Sequence, residues 1–137
     1  MIIQTLTNSF KSELLQGVHD FTTDTFKLAL YTSSASLGAD TTVYTTTEEI
    51  IGTGYTTGGN SLTAIGPNID GTTAYVSFED AVWTSTSFST TGGLIYNATK
   101  SNKAVAVLNF GSTKTANGTF TVQFPAATSS TAIIRIA

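Results

Sequence analysis

Cysteine is absent from the 137-residue chain, so no disulfide, thiolate nucleophile, cysteine zinc site or thiol redox switch is available to it. Charge is scarce as well. Asp, Glu, Lys and Arg make up 11% of the residues, against roughly 25% in an average globular domain. The six Lys and Arg are scattered from Lys11 to Arg135 and the net charge is −3, which removes the electrostatic basis for nucleic-acid binding. No apolar run approaches the roughly 20 residues of a membrane helix, and the N-terminus lacks the basic and apolar regions of a secretory signal. These absences predict a soluble protein made in the cytoplasm, with neither nucleic acid nor membrane among its partners.

What the chain has in abundance is hydroxyl. It carries 28 threonines and 14 serines. Threonine is β-branched and suits a pleated, half-solvated face, whereas the straight-chain residues that favour helices are few. At 137 residues the chain is long enough to bury one core without a covalent staple or a metal. A polar but weakly charged surface is common on extracellular and virion proteins and suits a secreted binding module equally.

Leu6, Phe10 and Leu14 recur at i, i+4 spacing, and Val18 continues the stripe past Gly17, a residue well placed to end a helix. One short amphipathic helix is predicted over residues 5–16. From Phe26 the period changes to two, with Phe26, Leu28 and Leu30 alternating against Lys27, Ala29 and Tyr31. Further strands are predicted over 43–47, 61–65, 73–78, 94–98, 104–110, 119–124 and 132–136. Between them lie Gly52-Thr53-Gly54, Gly58-Gly59-Asn60, Gly66-Pro67-Asn68, Asp70-Gly71, Gly92-Gly93 and Asn117-Gly118, all suited to tight reversals. The expected fold is all-β, an antiparallel β-sandwich or jelly roll of about eight strands with one short N-terminal α-helix. No linker divides the chain, so a single domain over 1–137 is expected, with helix and connection in 1–20 and the sandwich in 25–137. The predicted core is Leu28, Leu30, Val76, Phe78, Trp83, Leu94, Tyr96, Val105, Val107, Phe110, Phe120, Val122, Phe124, Ile134 and Ile136. Residues 33–59 form the one long irregular stretch.

The catalytic inventory is thin. His19 is the only imidazole; it reads as a solvated loop residue and supplies neither a triad nor a transition-metal site. The pairs Glu48-Glu49 and Glu79-Asp80 sit on adjacent positions, which point to opposite faces of a strand, so neither is a ready acid/base couple. They read as solvated loop acids. Gly52-Thr53-Gly54 lacks the lysine and following helix of a phosphate site, and no ordered run of Asp ligands suggests calcium. The expectation is a non-enzymatic protein with no catalytic residues, no cofactor and no metal. Tyr44, Tyr55, Tyr75 and Trp83 are candidates for sugar stacking, with core packing the better reading for Trp83 and Tyr55 the hardest to bury.

Phe26-Lys-Leu-Ala-Leu-Tyr-Thr-Ser-Ser-Ala-Ser-Leu and Val43-Tyr-Thr-Thr-Thr-Glu-Glu-Ile-Ile-Gly-Thr-Gly-Tyr-Thr-Thr-Gly-Gly-Asn are followed by Trp83 among Ser and Thr, Gly93-Leu-Ile-Tyr-Asn, Val105-Ala-Val-Leu-Asn-Phe-Gly and Phe124-Pro-Ala-Ala. In order and spacing this resembles a group of small tailed-phage structural proteins found near capsid genes, over almost everything after residue 25. A helix followed by a jelly roll is similar to the head cement, or decoration, proteins of such phages. That resemblance implies a virion location on the capsid surface. It further implies binding to the major capsid protein and to copies of itself, as a homotrimer at three-fold positions. Leu6, Phe10 and Leu14 on the helix, with Tyr44 and Tyr55 in the long loop, are the candidate contacts. A tail fibre, knob or adaptor, and a carbohydrate-binding β-sandwich, are the alternatives.

Overall fold

The computed structural model describes all 137 residues. Period-two alternation yields strands where it was strongest, and the elements run β1 (Thr5–Leu6), α1 (Asn8–Leu15), β2 (Phe26–Tyr31), β3 (Asn60–Ser61), β4 (Ala64–Asp70), β5 (Thr73–Phe78), β6 (Ala81–Asn97), β7 (Lys103–Val122) and β8 (Ile134–Ile136). They form two antiparallel sheets, one of five strands in the order β1-β7-β6-β2-β3 and one of three in the order β4-β5-β8. This is the expected class, an all-β antiparallel sandwich of about eight strands, although the predicted reversals at Gly66-Pro67-Asn68, Gly92-Gly93 and Asn117-Gly118 lie inside strands.

The helix is shorter than residues 5–16, because Thr5 and Leu6 pair with Val107 and Ala106 as a strand. Thr7 then caps it. Its hydroxyl accepts the Phe10 N–H at 3.2 Å, the usual way an N-terminal turn satisfies an orphan donor. Gly17, at φ +73°, follows the C-cap at Gln16.

The central feature is a hairpin of β6 and β7 joined by residues 98–102. Gly92-Gly93 and Asn117-Gly118 lie inside these strands rather than at reversals, so the segments predicted separately at 104–110 and 119–124 are one strand, and 94–98 is the end of another. Close packing explains the glycines at 92 and 93. A Cβ on Gly93 would stand 2.8 Å from Leu28 Cδ1 and 2.9 Å from the Ala29 carbonyl, and one on Gly92 would stand 2.5 Å from the Leu108 carbonyl. Residues 43–47 make no strand. Val43 forms a single bridge to Lys103, and the segment is held instead through its side chains.

Successive residues of β2 feed two cores. Phe26, Leu28 and Leu30 face the larger cluster, shared with Phe10, Phe21, Val76, Phe78, Trp83, Ile95 and Val122. Ala29 and Tyr31 face a second one, with Ile2, Leu37, Leu94, Tyr96 and Val107. Both faces of the large sheet are thus covered at this end, the second by the N-terminus and parts of residues 35–44. Eleven of the fifteen predicted core residues are buried. Phe110, Phe120 and Phe124 are only partly so, and Ile136 is 54% exposed because β8 is a short edge strand.

Candidate functional site

Residues 43–58 are irregular in backbone yet tied down by one carboxylate. Glu49 is buried; its Oε1 accepts from the Tyr44 hydroxyl at 2.5 Å, and its Oε2 accepts from the Tyr55 hydroxyl and, at 2.8 Å, from the Gly58 N–H. Tyr55 Oη accepts the Leu30 N–H of β2 at 3.0 Å. Tyr96 donates to the Gly58 carbonyl and Tyr31 to the Thr45 carbonyl, each at 2.6 Å. Burial first, and the hydrogen bond to Glu49 second, raise the Tyr44 and Tyr55 phenols well above their ordinary range. Burial followed by the Glu49 charge raises Tyr31 and pushes Tyr96 up to about 12. Of the two acids read as solvated, Glu48 is exposed and Glu49 is not. The second pair, Glu79 and Asp80, is exposed at the turn between β5 and β6.

His19 is likewise buried rather than solvated. It packs 5.0 Å from the Phe10 ring, with Nε2 3.0 Å from Glu13 Oε1 and Nδ1 3.0 Å from Asn97 Nδ2. Asn97 is itself fully buried and donates to Asp24 at 2.8 Å. Lys100 ion-pairs with Asp24 at 3.0 Å and donates to the Val18 carbonyl at 2.9 Å. Burial works to raise the Asp24 carboxyl, but hydrogen bonds from Asn97, the Asp20 N–H and Lys100, with the Lys100 charge, outweigh it and hold Asp24 below the usual carboxylate range. Nothing local in the sequence marks this group, since its members come from α1, the connection to β2, the end of β6 and the turn between β6 and β7.

A groove of about 710 Å³ runs beside β7, walled by Leu6, Leu108, Phe110, Phe120, Phe124 and Ile133, with Lys114 at its side. Beyond its short pairing with β1, the edge of β7 away from β6 has no strand partner over residues 112–122. The backbone bonds of β7 in this stretch go to β6 alone. Unpaired N–H and C=O groups beside an apolar trough are the template for strand addition.

The five contact candidates fall apart in space. Leu6 lines the groove. Phe10 is wholly buried, since the helix turns that face onto its own sheet, and so offers no surface to a partner. Leu14 is partly buried against the same core. Tyr44 stacks on Tyr96 with centroids 4.5 Å apart, and Tyr55 packs on Trp83 at 6.5 Å; both point their hydroxyls at Glu49. Trp83 is 2% exposed and belongs to the core, with its Nε1–H unpartnered. These three rings make no flat exposed platform for a sugar. Comparison with protein-family models, with curated proteins and with solved structures finds no match.

Proposed function

We propose that the protein is a non-enzymatic structural component of a phage virion, a head cement protein that binds the outer surface of the assembled shell and bridges neighbouring subunits. The resemblance over residues 26–127 motivates the virion role. The observation that carries the adhesive mechanism is the unpaired edge of β7 along its apolar groove. An extended segment of the major capsid protein adds there as a further strand. Main-chain bonds supply affinity, and apolar side chains entering between Leu108, Phe110 and Phe120 supply register. Each contact is modest, and several copies acting together around a three-fold axis multiply it.

The test mixes the purified protein with empty, expanded shells of the phage that encodes it and counts bound copies by cryo-electron microscopy. Density at three-fold positions, with β7 facing the shell, is the expected result. Phe110→Asp puts a charge on the groove wall and is expected to reduce occupancy about tenfold, the equivalent of one apolar side chain's burial, while circular dichroism reports an intact fold. A bare shell, with the protein instead at the tail or portal of intact virions, would overturn the cement reading in favour of a fibre or adaptor.

A further inference from the structure

Hydrogen-bond accounting around His19 fixes its protonation. Asn97 Oδ1 accepts the Thr99 and Lys100 N–H groups at 3.1 and 3.2 Å, so the amide cannot turn over and Nδ2 is the group that meets the imidazole. Nδ2 donates to Asp24 and to His19 Nδ1. His19 Nδ1 must therefore be the bare, accepting nitrogen, and Nε2 carries the proton that it gives to Glu13. A second proton can enter only at Nδ1, where it would face the N–H of Asn97, donor against donor, in a site where the ring has no exposed surface.

We propose that His19 is an acid-operated latch between the C-terminal turn of α1 and the large sheet, closed with Nδ1 bare and opened when Nδ1 is protonated. Protonation strengthens one side of the histidine and cancels the other. The bond to Glu13 becomes an ion pair, so the ring stays with the helix, while the bond to Asn97 at the end of β6 is lost. The other charged groups facing the site keep their state. Asp24, on the connection to β2, is held ionised by Asn97, Asp20 N–H and Lys100, and Lys100, on the turn after β6, stays paired with it. Asp20 carries its own bonds from Thr22. The N-terminal turn of α1 does not move, because the Thr7 N–H and hydroxyl are anchored on β7. Opening is confined to residues 13–20, and this inference is independent of the virion reading.

The experiment is imidazole nitrogen NMR together with amide hydrogen exchange on the full chain, from roughly pH 8 down to roughly pH 5. At the upper end Nδ1 is expected to resonate as an unprotonated nitrogen. As His19 takes up its proton, protection of residues 13–20, corrected for the intrinsic pH dependence of exchange, is expected to fall about tenfold, as for one lost buried hydrogen bond, with β2, β6 and β7 unchanged. The fall is expected to persist in Glu13→Gln. Protonated Nδ1 at the upper pH, Nδ1 still bare at the lower, or unchanged protection once His19 is charged, would overturn the latch. So would a fall in protection that is missing in Glu13→Gln at a pH where the Nδ1 of that variant is seen to be protonated, since Glu13 would then be the group that opens the contact.

Discussion

Glu49 shows how a single side chain organises a segment that has no secondary structure of its own. Its two oxygens take three donors, and replacing it tests which matter. In Glu49→Gln the new amide is best placed at Tyr44, whose hydroxyl can turn to accept, leaving the remaining oxygen for Tyr55 and Gly58. The expected cost is about 1–2 kcal/mol by urea denaturation, close to one charge-assisted bond made neutral. Glu49→Leu strands the Tyr55 hydroxyl and the Gly58 N–H and is expected to cost about 2–4 kcal/mol. Alkali tests the same cluster. Because Tyr44 and Tyr55 ionise at higher pH folded than unfolded, their stabilisation is whole below about pH 10 and declines as pH rises above it. Tyrosinate absorbance followed to high pH should show these phenols ionising late, and earlier in Glu49→Gln, which keeps the burial but loses the carboxylate. The sequence placed Tyr55 in a Gly-rich loop and Glu49 beside an exposed acid, and neither neighbourhood signals a buried ion. The donors arrive from residues 44, 55 and 58 through a path that only tertiary packing determines. Trp83 was legible as core, because an indole is too large an apolar surface to leave wet among so few other candidates.

At the scale of elements, the strong periodic segments were legible and the hydroxyl-rich ones were not. Strand β5 falls where Thr73–Phe78 alternates, and β2 where Phe26–Tyr31 does. The first half of β6 keeps its apolar face at Ala81 and Trp83, slips at Ser85 with φ +53°, and resumes at Thr86, Phe88 and Thr90, all buried. That slip, a shift of register between Trp83 and Thr86, hides the strand from a period-two reading, because a bulge changes which parity faces inward. Buried threonines hide it further. Thr90 satisfies its hydroxyl on the Tyr31 carbonyl at 3.0 Å, a contact no composition rule anticipates. Glycine 93 is the sharpest test of the hairpin. Gly93→Ala drives a methyl against the Ala29 carbonyl and Leu28, and is expected to destabilise by about 1–3 kcal/mol as overpacking does. Gly38→Ala meets nothing closer than Ile3 Cβ at 3.9 Å and should change the melting temperature little. Equal effects from the two would contradict close packing of β2 on β6.

The whole molecule is a sandwich whose larger sheet is buried on both sides at one end and extends as a two-stranded ribbon at the other. That division was beyond the sequence, since alternation along β2 leads one to expect Lys27, Ala29 and Tyr31 on a solvated face. Ala29 and Tyr31 are instead covered, because the stretch following β2 folds back and clamps itself through Tyr31, Tyr44 and Glu49. The long loop is therefore ordered by tertiary bonds, and its resistance to protease should follow those bonds rather than its irregular backbone. Residues 125–131 provide the comparison. Residues 126–131 bond mostly among themselves there, and their ties outward are single bonds from Ser77 to the Pro125 carbonyl, from Ser129 to Asp70, from the Ala132 N–H to the Thr128 carbonyl and from Arg135 to the Ser130 carbonyl. None of them reaches the large sheet, and local opening is easiest where such ties are few. Brief digestion with a protease of broad specificity is expected to cut within 125–131 first and to leave residues 43–58 intact. In Glu49→Leu the order should reverse, because the clamp is gone while residues 125–131 are untouched. First cleavage of the unaltered protein within 43–58 would mean that the carboxylate cluster does not hold that segment, and the loop could not then present a fixed surface to any partner.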